Sequence, residues 1–144
     1  MGAEALRTVL GIDPGLRNIG WAVARDGKVI AHGVFHPNKR KVVPLVSVIA
    51  QAVGFARDLI RKYRVGRVVV EEVRWRGIRA RVLFPLSHVA GALTAVGVSM
   101  LDSESVALVP PHQRGRAPRL PAIGGRGATP HELDAAALAV NHGT

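Results

Sequence analysis

The sequence predicts one α/β domain over residues 1–144, built from five strands and three helices. Apolar runs of strand length alternate with stretches that have the spacing of amphipathic helices. Turn signals rich in glycine, proline and aspartate separate these elements. The hydrophobic content of 48% is enough to build one core in a chain of 144 residues. Each element can be located from these signals.

Three strand-like runs open the chain. Residues 8–12 are almost wholly apolar and stop at Asp13-Pro14-Gly15, which is typical of a buried strand followed by a turn. Residues 19–24 and 28–35 are the next two runs, and Asp26-Gly27 between them is a strong hairpin signal. The sequence therefore predicts a three-stranded meander.

The middle of the chain continues with a helix and a strand. Pro44 suits the first turn of a helix, and apolar residues recur at helical spacing over residues 45–63. A β-branched run over residues 67–73 then predicts a central strand that carries two acids, Glu71 and Glu72. Because successive strand side chains alternate, these two acids should lie on opposite faces of the sheet.

A second long helix and a fifth strand follow. We expect this helix to begin near Pro85, because a proline interrupts a helix, and to end near Val96. Residues 106–109 are the fifth predicted strand. Residues 110–128 are rich in proline, glycine and arginine, so we expect a mobile loop. The loop contains no acid, so we expect its four arginines to be unpaired.

The final helix has a clear start signal. Thr129-Pro130-His131-Glu132 fits a capping box, with the threonine as N-cap, the proline at the first helical position and Glu132 reaching back to the N-cap. His131 and Asp134 are three residues apart and therefore share one helix face. Small apolar residues follow over 135–140.

The charge balance indicates nucleic acid as the partner. The formal net charge is +10, and most of the basic residues are arginines, whose planar guanidinium suits phosphate. Biased coding or a hot environment is the alternative explanation. The chain has no cysteine, so any metal must be held by oxygen or imidazole. No leader or membrane-spanning run is recognisable, so we expect a soluble cytoplasmic protein with no membrane partner.

Three motifs resemble those of the RuvC family of Holliday junction resolvases. The first is Gly-Ile-Asp-Pro-Gly at residues 11–15, followed by Gly20, and the second is Val-Glu-Glu-Val at residues 70–73. The third is residues 131–140, where a histidine stands three places before an aspartate that leads into an alanine-rich helix. The likeness spans most of residues 7–142. It implies an RNase H-like fold with a five-stranded mixed sheet flanked by helices, in which the first and fourth strands are neighbours.

The resemblance also implies the chemistry. Asp13, Glu71, His131 and Asp134 would converge as catalytic residues and metal ligands, because carboxylates placed close together must bind protons or cations. The implied cofactor is Mg²⁺, two ions per active site, and a site that includes histidine also suits Mn²⁺. The implied protein is a homodimeric crossover junction endodeoxyribonuclease that cuts two opposed strands of a four-way DNA junction symmetrically. It would act in a bacterial cell or a phage-infected host, with branch-migration proteins as further partners.

Basic residues near the motifs are candidates for DNA contacts. The family usually has an aromatic residue directly after the second motif, where this chain has Arg74 with Trp75 one place later. Trp75 could stack on an exposed base or cover the edge of the core. The segment before the third motif is shorter than in the family and has arginines in place of a lysine-bearing helix. The candidate DNA-binding residues are Arg74, Trp75, Arg76, Arg79, Arg81, Arg114, Arg116 and Arg119.

Other functions fit parts of the sequence. A nuclease on the same scaffold could process RNA or act as a transposase. The actin, Hsp70 and sugar-kinase superfamily also opens with a strand and a Gly-x-Asp-x-Gly turn, although an ATP-binding protein of that type needs two such domains. A catalytically inactive module could bind DNA through its basic surface alone. Residue by residue, Asp13 could cap a turn, Glu71 could pair with an arginine, and His131 and Asp134 could be ordinary first-turn helix residues.

Overall fold

The computed structural model describes residues 8–37, 44–74, 80–120 and 127–143. Within these ranges, one sheet carries helices on both faces. The strands are β1 (Thr8–Asp13), β2 (Ile19–Arg25), β3 (Lys28–Phe35), β4 (Arg67–Glu71) and β5 (Val106–Val109). The helices are α1 (Leu45–Lys62), α2 (Ala80–Met100) and α3 (Pro130–Asn141), and short 3-10 turns cover Ser103–Ser105 and Pro111–Gln113.

The strand order is β3-β2-β1-β4-β5, with β1 in the centre. β1, β2 and β3 form an antiparallel meander. The hairpin turns through Asp26 and Gly27, which both have positive φ, as tight turns between twisted strands require. β4 pairs in parallel with β1 on one side and with β5 on the other, and α2 makes the β4-to-β5 crossover. The predicted meander and five-stranded mixed sheet are confirmed.

Side chains of the sheet alternate between two cores. Leu10 of β1 belongs to the larger core, which α1 and α2 cover. Val9 and Val69, on the other face, pack against α3. Because strand side chains alternate with a period of two, Asp13 and Glu71 lie on the face that α3 covers. The alternation therefore turns both acids towards the helix of the third motif.

Two glycines allow α3 to lie directly on the sheet backbone. A Cβ at Gly11 would come within 2.2 Å of the Ala135 carbonyl oxygen, and a Cβ at Gly20 would come within 2.2 Å of the His131 carbonyl oxygen. Only a residue without a side chain fits at either position. Both glycines belong to the first sequence motif. They set the distance at which α3 carries its polar side chains over the ends of β1 and β2.

The predicted limits of the second helix are wrong. α2 begins at Ala80 and ends at Met100, and Pro85 lies inside it. A proline in the second turn removes one backbone donor, which would have bonded to the carbonyl of Arg81. Its cost is offset because the following turns bury residues such as Leu93 in the core.

The ends of β4 and of the long loop also differ from expectation. β4 ends at Glu71 rather than Val73, although the Glu72 N–H still donates to the Val109 carbonyl at 2.8 Å. Beyond that bond, no residue of β5 continues the ladder because that strand ends at Val109. The loop predicted over residues 110–128 contains the 3-10 turn Pro111–Gln113, and its residues 121–126 lie outside the described part of the chain.

α2 has a buried face and also carries exposed apolar side chains. By length and composition, Arg81–Met100 is apolar enough to cross a membrane, a test that core helices also pass. Only 28% of this window is buried. The buried side packs Val89, Leu93 and Val96 into the larger core, while large apolar side chains remain exposed on the helix, namely Val82, Phe84 and Val98. α2 is thus a core helix that, in the described part of the chain, also leaves large apolar side chains exposed.

Candidate active site

Two acids meet at the ends of neighbouring strands. Asp13 is the last residue of β1 and Glu71 is the last residue of β4. The parallel register pairs Ile12 with Val70, so the two acids occupy adjacent positions at the same edge of the sheet. Glu71 is only 7% exposed, which is unusual for a carboxylate. This pairing produces a buried concentration of negative charge.

α3 brings a third acid to the same place. One carboxylate oxygen from each of Asp13, Glu71 and Asp134 lies within 4.8 Å of the others. His131, one turn earlier on the same face of α3, contacts Asp13 directly: its Nδ1 lies 2.9 Å from Oδ2. The structure therefore places together all four side chains that the motifs single out, over a separation of more than a hundred residues.

The contact between His131 and Asp13 defines which ring atom is free. When Nδ1 donates to the carboxylate, a neutral ring keeps its lone pair on Nε2. The His131 side chain is 43% exposed. In that tautomer Nδ1 orients the Asp13 carboxylate and Nε2 keeps the lone pair.

An arginine from the loop before α3 lies in the acidic cluster. Arg114 donates to both Glu71 oxygens, from Nε at 3.2 Å and from Nη2 at 2.5 Å, in a bidentate pair. Its Nη1 donates to Asp134 Oδ1 at 2.8 Å. The expectation that the arginines of this loop are unpaired is therefore wrong for Arg114, because the fold brings two acids to it from β4 and α3.

The electrostatics of the cluster are those of crowded acids with one compensating cation. Burial raises the pKa of Asp13 from 3.8 to about 6, and the negative charges of Glu71 and Asp134 act in the same direction. The hydrogen bond from His131 opposes that shift. Burial disfavours the charge of Arg114, but its bonds to Glu71 outweigh burial and raise the pKa of the guanidinium.

The donor set fits a divalent metal. Three carboxylates whose oxygens lie within 4.8 Å of one another are suitable ligands for Mg²⁺ or Mn²⁺. His131 is not one of this group and contacts it through Asp13. The raised pKa of Asp13 is a second sign of fit, because a cation would relieve the repulsion that opposes its ionisation.

A buried polar pair holds the start of α3. Thr129 and Glu132 form the predicted capping box, with both reciprocal hydrogen bonds present. Glu132 also accepts from His32 Nδ1 of β3 at 2.9 Å, and both side chains are almost fully buried. Sequence reasoning missed His32, since a single histidine in a strand carries no signal of its partner a hundred residues away. This pair ties the turn that carries His131 to the sheet.

Four of the candidate DNA-binding residues are exposed in the described part of the chain. Arg74 and Arg81 are exposed beyond β4 and at the start of α2, and Arg74 forms an ion pair with Glu72 at 3.3 Å. Arg116 and Arg119 are exposed in the loop before α3. Trp75, Arg76 and Arg79 lie outside the described residues. Arg114 differs from the rest because its guanidinium bonds inside the acidic cluster.

The order of strands, with three acids and a histidine at one sheet edge, defines the RNase H-like class of α/β folds, so the predicted fold class is confirmed. No family model matches the chain. Solved structures with this fold include Thermus thermophilus RuvC in complex with a Holliday junction substrate, at TM-score 0.72 and 19% identity over 94% of this chain and 91% of that chain. Thermus thermophilus RuvC in a second structure gives TM-score 0.69 and 20% identity over 94% of this chain and 92% of that chain. The yeast mitochondrial Holliday junction resolvase Ydc2 gives TM-score 0.52 and 18% identity over 74% of this chain and 54% of that chain.

Within that class the chain is similar to RuvC in sequence as well. It is 34% identical over 88 residues to the crossover junction endodeoxyribonuclease RuvC of Maricaulis maris strain MCS10. That match covers 58% of this chain and 51% of the relative, so it spans about half of the curated protein. The resemblance to RuvC that the three motifs indicate is confirmed by this sequence match and by the shared fold.

Proposed function

We propose that this protein is a structure-specific DNA endonuclease that resolves four-way junctions by metal-dependent phosphodiester hydrolysis. The observation that carries this proposal is the convergence of Asp13, Glu71 and Asp134 within 4.8 Å at one edge of the sheet. The sequence and fold similarity to RuvC supports the choice of a junction as the substrate.

The cofactor in this proposal is Mg²⁺, two ions per active site, with Mn²⁺ as an alternative. Asp13, Glu71 and Asp134 would hold the ions with His131 as a further ligand, and the ions would activate water and stabilise the leaving oxygen. Asp13 would be the central ligand, because it contacts His131 and because the negative charges of Glu71 and Asp134 act on its carboxylate. His131 would orient the Asp13 carboxylate through Nδ1, and its Nε2 would be the further ligand.

The DNA would approach across the basic surface around the acidic cluster. A net charge of +10 attracts phosphate, and contacts to the backbone would dominate the affinity. Arg74, Arg81, Arg116 and Arg119 are exposed and could reach backbone phosphates. Trp75, Arg76 and Arg79 remain candidate DNA contacts from the sequence alone.

Symmetric cleavage needs two active sites, so the proposal includes a homodimer. Helical spacing places the exposed apolar side chains of Phe84 and Val98 on one side of α2, and a second copy of the chain would cover that side. The branch-migration partners and the cytoplasmic location implied by the resemblance belong to the same proposal.

A panel of labelled substrates tests the function: a four-way junction, a linear duplex, a single strand and a structured RNA. We expect Mg²⁺-dependent cuts at symmetric positions in two opposed strands of the junction. Glu71→Gln should lower the rate by at least about a hundredfold, since even residues behind metal ligands contribute ten- to a hundredfold. Glu72→Gln is the matched control, because it removes the neighbouring exposed carboxylate on the other face.

The same panel separates the alternatives. Equal cleavage of all substrates would contradict junction specificity, and preferred cleavage of RNA would support an RNA-processing nuclease. Junction binding without cleavage by any divalent ion would support an inactive binding module. Micromolar ATP binding in parallel would support an ATP-binding protein instead.

A further inference from the structure

Arg114 occupies the oxygens that a metal would need. Both Glu71 oxygens accept from its guanidinium, and so does one oxygen of Asp134. Oxygens that hold a bidentate guanidinium cannot turn fully towards another cation. Metal binding and the Arg114 contacts therefore compete for both oxygens of Glu71 and for one oxygen of Asp134.

The backbone around Arg114 is clamped from the far end of α3. Asn141 Nδ2 donates to the carbonyls of Arg114 at 3.3 Å and Arg116 at 2.9 Å. His142 Nε2 donates to the Gln113 carbonyl at 2.7 Å. Gly115 has φ of +88°, and a Cβ there would lie 2.5 Å from Asn141 Nδ2. These contacts fix the loop on both sides of Arg114 and aim its side chain at the acids.

The surroundings of Glu71 also favour an arginine as the partner of its carboxylate. The Glu71 side chain is only 9% exposed, so leaving its charge without a partner would be costly. The Arg114 side chain is 26% exposed, so it can move into solvent when its bonds to the two acids break. A guanidinium is always charged and less strongly hydrated than an ammonium group, so it serves as a partner for a buried carboxylate at any physiological pH.

From these contacts we infer that Arg114 is the resident counter-cation of the acidic cluster, and that divalent ions must displace it from Glu71 and Asp134 in order to bind. Arg114 thereby sets the metal concentration at which the site is filled, and it keeps the metal-free protein folded. The inference rests on the proposed metal site and adds a competitor for that site within the same chain.

A Mn²⁺ titration without DNA, followed by the loss of the free-ion paramagnetic resonance signal, tests this role. Arg114→Gln should bind the first Mn²⁺ about tenfold more tightly than the parent protein, which corresponds to about 1.4 kcal/mol. Arg114→Lys should be intermediate, because an ammonium ion lacks the bidentate fork. Arg57→Gln on α1 is the charge-matched control and should bind like the parent.

Thermal unfolding gives a second readout. In the presence of EDTA, Arg114→Gln should unfold at a lower temperature than the parent, and saturating Mn²⁺ should remove that difference. If Arg114→Gln is too unstable to titrate, the comparison of Arg114→Lys with the parent decides the affinity question.

Either result can overturn the inference independently of the nuclease assignment. Equal or weaker Mn²⁺ binding by both Arg114 variants would refute the counter-cation role, and if Glu71→Gln still abolished binding, the metal site itself would stand. Tighter binding by the variants in a protein that cuts no junction would keep the role and remove the proposed substrate.

Discussion

At the scale of single residues, ionisation of Asp13 should lower the stability of the metal-free folded protein. Its pKa in the folded state is about 6 against an ordinary value of 3.8, so the folded protein binds the proton more tightly than the unfolded chain. The stability from this group is fully present below about pH 4 and is lost as pH rises through about 6. Asp13→Asn removes the titrating carboxyl group and with it this contribution to the pH dependence of stability. We therefore expect its free energy of unfolding, relative to the parent, to rise by up to about 3 kcal/mol between pH 4 and 8.

Urea unfolding in EDTA across that pH range measures the effect. The acids and bases that face Asp13 are Glu71, Asp134, His131 and Arg114, and the substitution removes none of them. Asp58→Asn, which removes an exposed carboxylate from α1, is the control for losing one surface charge. A pH-independent difference between Asp13→Asn and the parent would contradict the assignment. The same variant should lose Mn²⁺ binding, so stability and metal affinity change in opposite directions.

Individual site residues differ in how far the sequence could predict them. Asp13, Glu71, His131 and Asp134 stand in motifs, so their meeting could be expected once the strand order was supplied by the resemblance. The pairing of Arg114 could not be expected. Four arginines between residues 110 and 128 look alike in sequence, and only the clamp from Asn141 and His142 directs one of them into the acids.

At the scale of elements, the seat of α3 on the sheet controls the site. Gly11→Ala would place a Cβ 2.2 Å from the Ala135 carbonyl oxygen, which is backbone and cannot turn aside. α3 would have to move outwards and carry Asp134 away from Asp13. We expect a loss of about 3 kcal/mol or more in the free energy of unfolding, at the upper end of overpacking effects. Chemical denaturation measures it.

Gly54→Ala is the control for adding the same methyl group. Nothing lies within 4 Å of a Cβ at Gly54, which is inside α1, so alanine should stabilise the protein by up to about 1 kcal/mol. If Gly11→Ala remains folded, a Mn²⁺ titration should show weaker binding, whereas Gly54→Ala should bind normally. Equal stability of the two variants would show that α3 does not depend on close approach to β1.

Elements set by local chemistry were predicted well, and those set by packing less well. The Asp26-Gly27 hairpin and the capping box at Thr129 depend on neighbouring residues, and both occur as expected. The start of α2 was misplaced, because the local cost of Pro85 is outweighed by burial of later turns against the sheet. The pairing of β1 with β4 joins residues far apart in sequence, so spacing alone could not predict it.

At the scale of the whole molecule, the net positive charge contrasts with a local cluster of acids. The chain has a net charge of +10, yet three of its carboxylates gather at one edge of the sheet. Phosphates drawn in by the arginines would meet repulsion at the acids unless cations were present there. Arg114 is one such cation among the described residues, and the three carboxylates could hold metal ions as well. A cation at the acids would therefore make the site compatible with the phosphates that the arginines attract.

The exposed face of α2 makes the proposed dimer testable. Phe84 is 63% exposed on this helix, and a glutamate there would place a charge in an interface formed by that side of α2. We expect Phe84→Glu to be a folded monomer where the parent is a dimer, measured by light scattering after size exclusion. On a supercoiled plasmid with a cruciform, the monomer should yield nicked circles instead of linear product, because paired cuts need two sites on one particle. Val46→Glu changes an apolar residue of α1 that is 77% exposed, and it should stay dimeric. A dimer that survives Phe84→Glu but not Val46→Glu would move the interface from α2 to α1.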